Sequence, residues 1–392
     1  MKKPKIRFNG YTEDWEQRKL GDVFKEYSEK NHIELPALTI IQGGGTVKRE
    51  DAERNLMYDK SNLSNYKIVR KDDFIVHLRS FEGGLEKSSL DGIISPAYHT
   101  FHSDIADSRF YYPYFRSYEF IKHKLVPHVY GIRDGRSIDI DGMKTIEIPY
   151  TSMEEQKKIG DYLDSLDHLI TLHQRKCEET KKLKKYMLQK MFPQNGKNVP
   201  EIRFLGFTDV WEQRKLGDII TEYKETVDSD CTLPILTSSK TEGVILQEEH
   251  FGRKQQHDIT GYNILPRNYC TYRNRSEGVD FSFNINKCCD KGIISKFYPV
   301  FSGNNSDVFF LSLVLNNSKE VVHEIAYTCT GTGQKVLSFL DLQKMKVRVP
   351  SFTEQKLSAG YFDYLDHLIT LHPRKCDELQ NLKKFMLQNM FV

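Results

Sequence analysis

Apolar residues recur every three or four positions along residues 155–192 and 354–391, and both patterns predict a long helix. Charged residues flank each stripe, as in a coiled coil. A helix of 38 residues would extend roughly 57 Å. Because a lone helix of this length has nothing to bury its stripe against, we predict that the two helices pack on each other. The predicted seam consists of Leu163, Leu166, Ile170, Cys177, Met187, Leu365, Leu368, Cys376, Leu379 and Met386.

Polar residues interrupt this seam. Lys184, Lys383 and one histidine of each helix fall on the apolar stripe, and Pro373 stands in the second helix where the first has Gln174. An interior proline costs about 3 kcal/mol and bends a helix. We therefore expect a kink at Pro373.

The two helical segments are copies of one another. They are identical at 25 of 38 positions at an offset of 199, and residues 4–22 return at 200–218 with 14 of 19 positions identical, including the whole of WEQRKLGD. Repeats found at a fixed offset decide the architecture before other signals are weighed. The chain is therefore a tandem duplication of a unit of about half its length.

The segments between the repeats, 23–150 and 219–350, share only short echoes: LPALT with LPILT, GIIS with GIIS, and IEIP with VRVP. Strand-like runs at Asp73–Leu78, Thr145–Ile148 and Lys344–Val349, separated by glycine-rich turns, indicate mixed α and β structure. The aromatic run 110–115 is interpreted as core packing rather than base contact. A repeated frame with two divergent inserts suggests one scaffold task done twice and two similar tasks done on different targets.

Composition limits the class of protein. A length of 392 residues suggests at least two domains. Seven cysteines, an odd number, with none in the first 176 residues argue against a disulfide framework and favour the cytoplasm. No apolar run is long enough for a membrane span, and no secretory signal is recognisable at the start. A net charge of +3 neither indicates nor excludes a nucleic-acid partner.

Enzyme motifs are sparse. The sequence has no phosphate-binding GxxxxGK[ST] loop and no dinucleotide fingerprint. Glu222-Tyr223-Lys224 fits a fragment found in many nucleases, so a self-contained DNA enzyme with a divergent site remains the alternative. The repeated histidine pairs and Cys288-Cys289 do not have the spacing of a zinc site, and no metal site is predicted.

Basic and amide side chains mixed with Gly and Ser form clusters in both inserts. Arginine can pair with guanine and Asn or Gln with adenine, while Lys and Ser suit phosphates. The alternative is that these are solvated loops with ordinary ion pairs. The candidate DNA-contacting residues are Lys48, Arg49, Arg54, His77, Arg79, Ser80, Arg133, Arg136, Tyr272, Arg273, Asn274, Arg275, Gln334 and Lys335.

The PxIRF…WEQRKLGD start and the EQ…LDxLITLHQRK…LKKxMLQxMF helix, each present twice, resemble the specificity (S) subunit of type I restriction–modification systems over the entire chain. The resemblance implies an α+β fold with two globular mixed α/β target-recognition domains, at 1–151 and 196–351. Two long antiparallel helices, 152–195 and 352–392, would follow the domains and separate them, with an internal pseudo-two-fold repeat.

The resemblance also implies a division of labour. Each domain would read one half of a split, asymmetric sequence in double-stranded DNA, and the helices would set the spacer. Two modification (M) subunits carrying S-adenosylmethionine would methylate adenine, and restriction (R) subunits using ATP and Mg would complete the nuclease. The chain itself would be non-catalytic and carry no cofactor. Because its small positive surplus lies in the repeated frame, we expect weak DNA binding by the isolated chain.

Overall fold

The computed structural model describes residues 4–52, 60–131, 136–194, 196–253, 258–331 and 333–391. It divides into two compact units, Met1–Arg175 with Pro373–Val392, and Lys176–His372. These are called the first and second units below. Each unit contains one insert and parts of both long helices.

Before the first long helix, the described part of the first unit contains twelve strands and several short helices. The strands are β1 Glu16–Lys19, β2 Lys25–Tyr27, β3 Leu38–Ile41, β4 Gly45–Lys48, β5 Lys67–Val69, β6 Phe74–Val76, β7 Glu86–Lys87, β8 Gly92–Ile94, β9 His99–His102, β10 Val129–Tyr130, β11 Ser137–Ile138 and β12 Glu147–Tyr150. The helices are α1 Leu20–Val23, α2 Ser80–Gly83, α3 Ser108–Phe115 and α4 Ile140–Lys144, with a π-helix at Phe120–Leu125 and 3₁₀ turns at Arg49–Asp51, Lys60–Asn65 and Val126–His128. The long helix α5 spans Met153–Lys190.

The second unit follows a similar but not identical order. Its strands are β13 Glu212–Lys215, β14 Ile220–Tyr223, β15 Leu236–Ser239, β16 Gly243–Leu246, β17 Asn263–Pro266, β18 Cys270–Thr271, β19 Arg275–Ser276, β20 Asn284–Ile285, β21 Lys291–Ile294, β22 Val300–Gly303, β23 Lys335–Val336 and β24 Lys346–Val349. Its helices are α6 Leu216–Ile219, α7 Gln247–Phe251, α8 Val308–Asn317, α9 Lys319–Thr328 and α10 Phe339–Lys344. The long helix α11 spans Phe352–Met390. The three strand-like runs expected from sequence are confirmed as β6, β12 and β24, with ends shifted by at most two residues.

A four-stranded antiparallel sheet lies at the centre of each unit. Its order is β2-β9-β6-β7 in the first unit and β14-β22-β18-β20 in the second. Phe74 pairs with Phe101 in one sheet, and Cys270 pairs with Phe301 in the other. The divergent inserts therefore share the topology of this central sheet, and this register aligns β6 with β18 position by position.

The short echoes between the inserts mark shared packing positions. Leu38 and Leu236 are buried on β3 and β15. A Cβ on Gly92 would lie 2.5 Å from Leu38 Cγ, and one on Gly292 would lie 2.6 Å from Leu236 Cδ1. Only glycine leaves room for the leucine at both places, which explains why LPxLT and GIIS persist where the rest of the inserts has diverged.

The repeated frame supplies the core of each unit with aromatic residues. Phe391 lies 6.2 Å from Trp15 between ring centroids, and Phe192 lies 6.0 Å from Trp211. The aromatic run of the first insert forms α3, where Phe110, Tyr111, Tyr114 and Phe115 are buried, so its interpretation as core packing is confirmed. The repeated MF and WEQRKLGD motifs are therefore two sides of one contact made in both units.

The two long helices contact each other within each unit. In the first unit Leu163, Leu166 and Ile170 are buried, and the Cys376 thiol lies 3.5 Å from Ile170 O. In the second, Leu365 is buried and the Cys177 thiol lies 3.7 Å from Ile369 O. The remaining seam residues are half-buried: Met187, Leu368, Leu379 and Met386.

The lysines that interrupt the seam have partners on the facing helix. Lys383 Nζ lies 2.5 and 2.7 Å from the two carboxylate oxygens of Asp167 in the first unit. Lys184 pairs in the same way with Asp366 in the second unit. Both residues of each pair are repeated at an offset of 199, so the sequence duplication is also a duplication of contacts.

Pro373 lies inside the continuous helix α11, and the bend expected there stays a prediction. The boundaries expected from sequence also stay predictions. The compact units differ from them in one respect, because each unit includes part of α5 and part of α11.

Candidate DNA-recognition surfaces

The strand β18 leads directly into the basic cluster of the second unit. Tyr272 follows the strand in the core, where its hydroxyl donates to Leu337 O at 3.1 Å. Arg273 and Arg275 are exposed on either side of Asn274. The guanidinium of Arg275 lies 4.5 Å from the centroid of the Phe297 ring, within the range of a cation–π contact.

The loop that precedes β23 comes back to the same place. Arg275 pairs with Val336 and Ser276 with Lys335, and Leu337 N donates to Asn274 O at 3.0 Å. These contacts bring Gln334 beside the two arginines, although it is about sixty positions away in sequence. The three line a cavity of about 320 Å³. Its remaining walls include Ser238, Lys240, Ser276, Asp280 and Tyr298.

The two arginines of this cavity differ from the structural arginines of the unit. Arg203 pairs with Glu354 and Arg267 with Asp290. Within the described residues, neither Arg273 nor Arg275 has a carboxylate within ion-pair distance. Their charges are therefore available to phosphates or to guanine acceptors.

The first unit places its own cluster at the equivalent position. With β6 and β18 in register, His77 corresponds to Arg273 and Arg79 to Arg275. Arg79 is exposed before α2, and Arg136 lies 5.8 Å from the Phe81 ring of that helix. Arg136 therefore lies beside the short helix that follows Arg79, as Gln334 lies beside Arg273 and Arg275 around the cavity. Arg54 and Arg133 lie outside the described residues.

His77 gives the first surface a different character. Its ring is half-buried against Tyr98, with a centroid distance of 6.2 Å, and its Nδ1 lies 3.3 Å from Arg79 N. Burial lowers the pKa of His77, so this side chain is neutral near pH 7. The first unit therefore has a neutral ring where the second has an exposed guanidinium.

Three candidates from the sequence are turned away from these surfaces. Ser80 is buried and its hydroxyl accepts from His77 N, and Tyr272 is a core residue. Asn274 is half-buried and its Oδ1 is fully enclosed. Their side chains hold the local backbone and are not available to DNA in this conformation, which corrects the expectation for all three.

Lys48 and Arg49 lie at the base of the β3–β4 hairpin. Arg49 Nε donates to Leu38 O at 3.2 Å and its guanidinium lies 5.4 Å from the Tyr66 ring, while Lys48 lies 3.9 Å from Glu50. Lys335 is half-buried in β23. DNA contact by these three residues and by Arg79, Arg136, Arg273, Arg275 and Gln334 stays a prediction.

The residues of the nuclease-like fragment form an ordinary surface contact. Glu222 lies on β14 and pairs with Lys224 at 3.0 Å. Among the residues that the structure describes, no group of three or more His, Cys, Asp or Glu side chains is arranged to hold a metal. In the same residues no helix combines the length and apolar character that a membrane span requires.

A duplicated α+β frame that carries unlike polar surfaces at one shared position defines a double recognition scaffold. The family model for the type I restriction modification DNA specificity domain matches residues 12–182. The chain is therefore similar to the specificity subunits of type I restriction–modification systems, and the match supports a DNA-specificity role within such a complex.

Two relatives are similar over the larger part of the chain. A specificity subunit attributed to the type I restriction enzyme MjaX of Methanocaldococcus jannaschii is 23% identical over 97% of this chain and 93% of its own. The MjaVIII specificity subunit of the same organism is 22% identical over 63% of this chain and 61% of its own. The crystal structure of a type I S subunit from M. genitalium superposes with a TM-score of 0.53 and 15% identity, covering 100% of this chain and 99% of that one. This likeness shows the shared fold.

Proposed function

We propose that each unit reads one half of a bipartite, asymmetric DNA target. The observation that carries the proposal is the equivalence of the two surfaces, each formed at the end of the central strand β6 or β18, with Arg136 beside the first surface and Gln334 beside the second. Their side chains differ, with His77 and Arg79 in one and Arg273 and Arg275 in the other. Two units with equivalent backbones and different side chains can bind two half-sites of different sequence.

The long helices are proposed to set the spacer between the half-sites and to dock two modification (methyltransferase) subunits. Large apolar side chains at equivalent positions of α5 and α11 support this role. Leu183 and Tyr186 are 44% and 49% exposed, and Leu382 and Phe385 are 40% and 51% exposed. Repeated patches of this kind suit two copies of one partner.

The chemistry is assigned to the partners. Adenine methylation would use S-adenosylmethionine held by the modification subunits, and restriction subunits with ATP and Mg would cut DNA. The near-neutral chain leaves much of the phosphate attraction to these partners. The isolated chain should therefore bind DNA weakly, and tight binding that persists at high salt would contradict this.

A segment exchange tests the proposal. Residues 23–150 would be replaced by the matching insert of another specificity subunit, and methylated adenines would be mapped in cells that contain this chain and its modification subunit. We expect one half of the target to change while the other half and the spacer stay the same. A map that changes in both halves, or in neither, would overturn the proposal.

A further inference from the structure

We infer that the tips of the β3–β4 and β15–β16 hairpins are specificity determinants, with Gln42 reading adenine and Lys240 reading guanine. The inference rests on the proposed function and names residues that the basic clusters in the sequence do not include. It starts from the geometry of the second unit, where Lys240 lines the cavity that also contains Arg273, Arg275 and Gln334.

The two hairpin tips are equivalent in length and register. Ile41 pairs with Gly45 in one hairpin, and Ser239 pairs with Gly243 in the other. Both glycines have a positive φ, 73° and 71°. Gln42 and Lys240 are each the first residue after the outgoing strand, so they occupy the same position in the two units.

Polar side chains of the central sheet hold both tips in place. In the first unit Gly43 N and Gly45 N donate to the buried carboxylate of Glu86 at 2.7 and 3.3 Å. In the second unit Asn284 donates to Ser238 Oγ and Ser239 O at 2.8 and 2.9 Å. The strand register places Glu86 and Asn284 at matching positions, opposite Ile75 and Thr271. A tip fixed by such contacts can present one side chain reproducibly.

Gln42 lies next to the candidate surface of the first unit. A Cβ added to Gly83 would lie 2.1 Å from Gln42 Nε2. Gly83 ends α2, the helix that follows Arg79 and carries Phe81 under Arg136. The exposed carboxamide of Gln42 therefore stands one helical turn from Arg79, as Lys240 stands beside the arginines of the second unit.

The chemistry of the two side chains assigns their bases. A carboxamide can bond adenine N6 and N7 together, and an ammonium suits guanine O6 and N7. Lys240 is paired with Asp280, but the two side chains are 56% and 70% exposed. An exposed pair of this kind contributes little, so guanine can replace the carboxylate.

The test uses the whole complex and reciprocal variants. Methylated adenines would be mapped in cells with the modification subunit and wild-type chain, Gln42→Lys or Lys240→Gln. We expect each variant to change the preference at one base position of one half-site by roughly 5- to 150-fold, with Gln42→Lys favouring guanine over adenine. Gln17→Lys and Lys319→Gln make the same changes at exposed positions outside the surfaces and should leave the map unaltered.

Gly83→Ala provides a second variant that leaves Gln42 itself intact. The added methyl group should push the Gln42 carboxamide aside and relax the same base position as Gln42→Lys. Unaltered preferences in all three variants, with a bipartite wild-type map, would overturn the assignment of the hairpin tips alone. A wild-type map without two separate half-sites would instead overturn the proposed function.

Discussion

Arg7 and Glu155 form a two-pronged ion pair, with Nε 2.6 Å from Oε1 and the terminal nitrogen 2.8 Å from Oε2. Arg203 and Glu354 repeat it at 2.7 and 2.6 Å in the second unit. The pair joins the PxIRF segment to the start of a long helix. It explains why those two motifs return together in the sequence although about 150 residues separate them.

The first prediction concerns this pair. Arg7 is 13% exposed and Glu155 is fully buried. Arg7→Ala leaves a buried carboxylate without its cation and should destabilise the first unit by about 3–5 kcal/mol, measured by denaturant unfolding followed by hydrogen exchange in each unit. Arg18→Ala removes an arginine whose pair with Glu16 is exposed and should cost about 1 kcal/mol or less. Equal losses in the two variants would contradict the assigned role.

The same pair predicts a loss of stability in acid. Burial alone would raise the pKa of Glu155, but hydrogen bonds from Arg7 and Thr151 outweigh it and lower the pKa below its ordinary value. A carboxyl with a lowered folded-state pKa stabilises the fold above its unfolded value, about 4.3, and loses that contribution as the pH falls. Wild type should therefore lose more stability below about pH 4.5 than Glu155→Gln, which has no charge to titrate. Parallel Tm curves for the two proteins in this range would refute the link.

The repeated frame could be predicted from the sequence because helical spacing is a local pattern and the duplication repeats it. The stripe of Leu163, Leu166 and Ile170 follows from helical spacing alone, and the duplication predicted a partner helix with the same stripe. The lysines on the stripe looked like defects. Their role depends on Asp167 and Asp366, which lie on the facing helix and about 200 positions away in sequence.

The recognition surfaces were only partly predictable for the same reason. A cluster such as Arg273–Arg275 is visible in the sequence, but alternation on an extended segment decides which side chains face outward. Tyr272 lies on the inner face of such a segment, and Ser80 begins α2 with its hydroxyl turned to His77 N, so composition alone misassigned both. The sequence did not indicate Lys240 as a candidate, because only the folded β15–β16 hairpin brings it close to Arg273 and Arg275. The LPxLT echo, which marks the outgoing strand in both units, was the one available signal.

A histidine–aspartate pair in the first unit predicts a pH dependence of stability opposite to that of Glu155. His102 Nδ1 lies 2.5 Å from Asp73 Oδ1, and this contact raises the pKa of His102. A raised histidine pKa stabilises the fold below its unfolded value, about 6.5, and the contribution disappears as the pH rises through the folded value. The Tm difference between wild type and His102→Gln should be largest below about pH 6.5 and shrink in alkaline buffer. A His102→Gln effect that is constant with pH would exclude the pair as its cause.

The seam between the helices predicts a contrast between two leucines of α5. Leu166 is 4% exposed and Leu169 is 39% exposed. Leu166→Asp buries a charge in the apolar stripe and should destabilise the first unit by at least about 3 kcal/mol, with loss of modification-subunit binding in co-purification. Leu169→Asp introduces the same charge on the exposed side and should keep the fold. Leu166→Asp with unchanged Tm and unchanged partner binding would show that this seam does not hold the helices.

The last prediction separates the arginines that would read DNA from an arginine of the same unit that is paired with a carboxylate. Arg273→Ala or Arg275→Ala should leave the Tm nearly unchanged, because neither guanidinium has a carboxylate partner among the described residues. Each variant should weaken discrimination at one half-site by about 1–3 kcal/mol and leave the other half-site intact. Arg267→Ala supplies the matched control, since Arg267 Nε lies 2.7 Å from Asp290 Oδ1 on the same unit and outside the cavity. Mapping methylated adenines for the three variants gives the result for both half-sites at once. If Arg273→Ala relaxed both half-sites equally, the two units would not read DNA separately, and if Arg267→Ala matched its effect, the cavity would not be the reading surface.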